Sequence, residues 1–138
     1  MARNYTTIPK TRTVSVVDAA LPAAPSDKGN QSVTPVPAGV YETAGAKLLQ
    51  IDVGSSAGNT GNATLSVYAW NHQLQQWAFV QQVTSAVLPT GSVGTVATQA
   101  TRTTIANWGA DFAAVLVTAL PTGGNPVTVT VSPTVEQR

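Results

Sequence analysis

The chain has one histidine, His72, six acidic residues and no cysteine. Those side chains bound the chemistry it could perform. A zinc site built without thiolates would need His72 together with carboxylates converging from distant parts of the chain. A Ser-His-Asp relay is conceivable with Asp52 or Asp111 as the orienting carboxylate, yet no Gly-x-Ser-x-Gly elbow exists to expose a nucleophile. Glycoside hydrolysis requires two positioned carboxylates, and Glu42, Asp52 and Asp111 are far apart in sequence. Calcium loops need closely spaced acidic ligands, and phosphate cradles need Gly-x-x-x-x-Gly-Lys or Gly-x-Gly-x-x-Gly; neither pattern is present. No catalytic residue, metal ligand or cofactor is expected, and the chain reads as a non-enzyme.

Two sets of residues suggest binding instead. Tyr68, Trp70, Trp77, Phe79 and Trp108 are large aromatics in or beside apparent strands. Exposed, Trp70, Trp77 and Trp108 could stack on sugar rings; buried, they would fill a core or pair across a hairpin. The second set is basic: Arg3, Lys10 and Arg12 all precede the first acid, Asp18. They would suit an acidic protein surface, whereas three spaced cations are too few for a nucleic-acid footprint. Glycosylation-type triplets at Asn4, Asn30 and Asn62 are expected by chance in a chain this rich in Asn, Ser and Thr.

The elements that must position these residues read as all-β. Pro9, Pro22, Pro25, Pro35 and Pro37 break up residues 1–40, which read as an extended N-terminal arm with one strand over Thr13–Asp18. From residue 41 to 138, Val-, Ile- and Thr-rich runs alternate with Gly, Asn and Pro clusters. Strands are predicted over Lys47–Val53, Ala63–Trp70, Leu74–Val83, Ser92–Thr98, Thr101–Ala106, Phe112–Leu120 and Val127–Ser132. Trp70 and Trp77 flank the hairpin turn at Asn71-His72-Gln73. The run at 112–120 is apolar on both faces, as a central strand requires. This spacing predicts a single antiparallel two-sheet β-sandwich, jelly-roll or immunoglobulin-like, behind the arm.

The totals agree with one domain: 138 residues form a single core in most proteins. Charged residues make up 9% of the chain, against about 25% in a typical soluble protein. A surface so poor in charge favours association. The first residues lack the apolar core of a secretory signal, and no run approaches the ~18 apolar residues of a membrane span. The chain is expected to be made soluble, without a membrane partner.

The arm Met1 to Pro37, the hairpin Val67-Tyr-Ala-Trp-Asn-His-Gln-Leu-Gln-Gln-Trp-Ala-Phe-Val80, and the closing strands Ala110–Leu120 and Val127–Ser132 resemble virion structural proteins of tailed bacteriophages. The likeness is to small capsid decoration or cement proteins and related head or tail accessory proteins. It implies a protein of the virion, partnered by the major capsid protein or other virion subunits and by further copies of itself. The sandwich would bridge junctions between capsid subunits while the arm lies along a neighbour, with Arg3, Lys10 and Arg12 on an acidic capsid surface. Deleting residues 1 to 20 would then abolish particle binding and leave a folded domain. The alternatives are a carbohydrate-binding module using Trp70, Trp77 or Trp108, and a tail, neck or connector component.

Overall fold

The computed structural model describes residues 4–7, 9–22, 39–55, 59, 61–85, 101–123 and 125–137. Nine strands form there: β1 (Asn4–Thr7), β2 (Lys10–Val14), β3 (Val40–Glu42), β4 (Ala46–Ser55), β5 (Thr64–Asn71), β6 (Gln76–Thr84), β7 (Thr101–Ala106), β8 (Phe112–Ala119) and β9 (Val127–Gln137). No helix occurs among the described residues. The strands make two antiparallel sheets. One runs β1-β9-β4-β7, with β2 also on β9; the other runs β3-β8-β5-β6.

β1 pairs with Thr134 to Gln137 and β2 with Val127 to Val131, so the two fill one edge position along β9 in succession. Pro9 and Pro133 fall at the break between them and have no N–H to extend the ladder. Taking β1 and β2 as one position, each sheet has four positions, ordered first-eighth-third-sixth and second-seventh-fourth-fifth. That is the order of a jelly roll rather than an immunoglobulin domain.

Period-2 alternation builds the core. Leu49, Ile51 and Val53 of β4 and Val127, Val129 and Val131 of β9 face Leu65 and Val67 of β5 and Val115 and Val117 of β8, all fully buried. This is the two-sided filling expected of a sandwich.

The residue-level expectations for β4, β5, β6, β7 and β8 hold within about two residues. Three others change. The early strand expected over Thr13–Asp18 is instead Lys10–Val14; β1 and β3 were not foreseen; and β9 continues past Ser132, through Pro133, to Gln137. Residues 4–14 are thus part of the sandwich's own sheet, not a segment reaching outward. The deletion of residues 1 to 20 would remove two strands, and a folded remainder is no longer the expected result. The expected strand Ser92–Thr98 lies outside the described residues.

Candidate interaction surface

The outer faces of the two sheets differ in chemistry. On the five-stranded sheet the outward positions are hydroxylated or charged. Thr11 and Thr130 share a hydroxyl–hydroxyl hydrogen bond of 2.9 Å. Arg102 donates to Asp52 through Nε at 2.7 Å and Nη2 at 3.0 Å. This face is made for water.

The outer face of the four-stranded sheet carries an aromatic and aliphatic patch. Trp70 and Trp77 pair across the β5–β6 hairpin with ring centroids 5.1 Å apart at 69°, and Tyr68 and Phe79 follow at 5.5 Å and 71°. These are the edge-to-face geometries that aromatic quadrupoles prefer. Val40 of β3 and Phe112 of β8 pack with Trp70 and Trp77 into a second apolar cluster, separate from the main core. β5, β6 and β8 contain no Asp, Glu, Lys or Arg. Formal charge is absent from Val53 through Thr101. Part of this surface stays open: Phe79 is 60% exposed, and Leu74, in the adjoining β5–β6 turn, 66%.

Residues 15–22 leave β2 and pass over to this sheet. Asp18 donates its N–H to the Val117 carbonyl at 2.9 Å and accepts the Val117 N–H on Oδ2 at 2.8 Å, continuing the edge position of β3 beside β8. Further on, the Trp77 indole donates to the Pro22 carbonyl at 3.2 Å. The stretch between carries Val16, Val17 and Leu21 exposed.

A clasp holds the start of this crossing. Arg12 donates to Asp18 Oδ1 at 3.0 Å and Oδ2 at 2.8 Å, and reaches the Val115 carbonyl at 3.2 Å. One side chain thereby ties the edge of one sheet to the edge of the other. The Asp18 hydrogen bond, against the cost of burial, raises the Arg12 pKa above its ordinary value. Burial pushes the Asp18 carboxyl up, but the Arg12 hydrogen bond, the Val117 amide and the Arg12 charge together hold it below the usual value. Burial raises Tyr41, partly offset by the Arg12 charge beside it. Tyr41 Oη and Arg12 Nε are both buried without a well-formed hydrogen bond.

The predicted binding residues are therefore redistributed. Arg3 lies outside the described residues. Strand alternation puts Lys10 and Arg12 on the inward side with Val14, opposite Val131, Val129 and Val127. Arg12 is consumed by the clasp, while Lys10 is exposed at the rim of a cavity of about 250 Å³ lined by Tyr41, Val131, Pro133 and Val135. Trp70 and Trp108, 4% and 6% exposed, offer no open ring face for a sugar; Trp77 is half-buried against Trp70. The Trp108 indole donates to Thr43 Oγ1 at 2.9 Å and to the Ala110 carbonyl at 3.1 Å, anchoring the corner before β8.

His72 meets Asp111 at 2.8 Å across an open groove at the end of the sheet, yet no third ligand or nucleophile joins them: no group of three or more potential metal ligands occurs among the described residues. Asn62 donates its amide to the Ser85 carbonyl at 2.6 Å, and Asn30 is outside the described residues. Sequence reasoning found the Trp70–Trp77 pair but missed the roles of Asp18 and Thr43, whose partners lie 99 and 67 residues away, respectively, on a strand and a corner joined only by folding.

Comparison with protein-family models, curated proteins and solved structures finds no match. No helix among the described residues is long and apolar enough to cross a membrane.

Proposed function

We propose that this protein is a structural component of a virion, a capsid decoration or cement protein that reinforces contacts between capsid subunits without catalysis. The observation that carries the reading is the aromatic outer face of the four-stranded sheet, uncharged along β5, β6 and β8, with Phe79 and the turn residue Leu74 left open, against a water-facing threonine sheet. Apolar surface left exposed on one side of a small domain marks a contact site. Jelly rolls recur in capsid and lectin domains, which supports the reading at the level of architecture. Many copies placed by symmetry make modest contacts sufficient, because each bound copy strengthens the whole shell. In this reading the apolar face supplies the contact energy, and Lys10 adds an exposed cation at the sheet edge.

The test is sedimentation of the native protein from its source through a density gradient, followed by electron microscopy of the fractions. The protein is expected in a fraction of symmetric particles, at a copy number fixed by their symmetry. The image also distinguishes a shell position from a tail, neck or connector one. Recovery solely as a free small protein overturns the proposal.

A further inference from the structure

Each sheet edge presents backbone N–H and C=O groups that can pair with another chain, and soluble proteins protect such edges with charges, prolines or bulges. Three of the four edges here are protected. The edge formed by β1 and β2 carries Lys10 and Arg12, β7 carries the exposed Arg102, and β3 carries the exposed Glu42. β6 is different. Its nine residues, Gln-Trp-Ala-Phe-Val-Gln-Gln-Val-Thr, hold no charge and no proline, and most of them are exposed. It is the terminal strand of its sheet, and no described residue pairs with its outward side. Its one protective device is the bulge at Val80, which lies between two regular runs, Gln76 to Phe79 and Gln81 to Thr84.

We infer that β6 is a self-association edge, where a second copy of this chain adds its own β6 antiparallel about a two-fold axis to join two four-stranded sheets into one. The occupant follows from charge. An antiparallel strand pairing with its own copy brings the same net charge into the seam from both sides, so a strand that carries a net charge repels its copy. β6 alone among the four edges carries no charge into such a seam, and its glutamine amides, both donors and acceptors, can hydrogen-bond across it. Dimerisation by this edge leaves the aromatic outer face free, since backbone pairing lies in the plane of the sheet. The inference deepens the assembly reading by naming one of its contacts.

Sedimentation velocity over a concentration series tests it on the full chain. The unmodified protein is expected to show a concentration-dependent monomer–dimer equilibrium. Amide hydrogen exchange should slow within 76–84 as the dimer fills. Gln76→Lys with Gln82→Lys, at exposed positions outside the aromatic cluster, should raise the dimer Kd at least tenfold with an unchanged circular dichroism spectrum. Thr104→Lys, one added charge placed on β7 instead, should leave it unchanged. A monomer at every concentration, a dimer whose 76–84 amides stay unprotected, or equal weakening by Thr104→Lys overturns the inference. A monomer that still sediments with particles defeats the edge and spares the virion reading; a β6 dimer found on no particle does the reverse.

Discussion

Asp18 shows how a single carboxylate organises the start of this chain. It accepts two hydrogen bonds from Arg12 and one from the Val117 amide at a side-chain exposure of 20%. Replacing it by Asn leaves a half-buried guanidinium without its counter-ion, and a cost of about 1–3 kcal/mol at pH 7 is expected in urea denaturation. The pH dependence has a definite sign. The folded-state pKa of Asp18 lies below its ordinary 3.8. Its contribution is complete above that ordinary value and is lost as pH falls through the lower, folded one. The stability gap between the protein and its Asp18→Asn variant should therefore narrow on acidification across that range; a gap independent of pH would remove the clasp from the account. Gly39, at φ +85°, sits against the same clasp, where an added Cβ would stand 3.4 Å from Arg12 Nη2 and from the Val115 carbonyl. Gly39→Ala should cost about 1 kcal/mol or more in the same assay. Neither role was legible in the sequence. Arg12 lies within β2 and Asp18 beyond its end, the Val117 partner of Asp18 on β8 is 99 residues away, and composition showed three cations without showing which way they point.

Strands were legible where the alternation was long. β4 and β5 announce themselves by alternation, Leu49, Ile51 and Val53 in one and Leu65 and Val67 in the other, and β8 by a run apolar on both faces. The Trp70–Trp77 contact followed from the hairpin register alone. β1 and β3, at four and three residues, carry no usable period, and their pairing is imposed by the strands they dock on. Prolines misled in the same way. Pro9 reads as a strand breaker, yet it lies with Pro133 at a gap between β1 and β2 where no ladder bond to β9 is required. Because β2 closes the edge of β9, deleting residues 1–14 should expose the ladder opposite Val127, Val129 and Val131 and abolish the cooperative urea transition. A truncated chain that still unfolds in one cooperative step at the original midpoint would mean that β1 and β2 are appended to the sandwich rather than part of it.

Across the whole molecule the decisive feature is asymmetry. One sheet shows water a surface of hydroxyls and a bidentate ion pair, and the other shows Phe79, Tyr68 and Leu74 with no formal charge on β5, β6 or β8. The low charge content visible in the sequence is a reason to expect association but does not say which face would carry it, because the face a strand presents depends on which sheet it joins. The jelly-roll order answers that by gathering β5, β6 and β8 into one layer. Phe79→Glu, at a 60% exposed site, should cost no more than about 1.5 kcal/mol of folding stability through its lost contact with Tyr68, while weakening particle association at least tenfold in co-sedimentation. The central claim is that this face is the contact surface. Hydroxyl-radical footprinting of the particle-bound and free protein tests it most directly. Labelling of Leu74 and Phe79 is predicted to fall severalfold on assembly while the β2, β4 and β9 residues of the threonine face keep their free-state labelling; protection of the threonine face, with Leu74 and Phe79 unchanged, would contradict it.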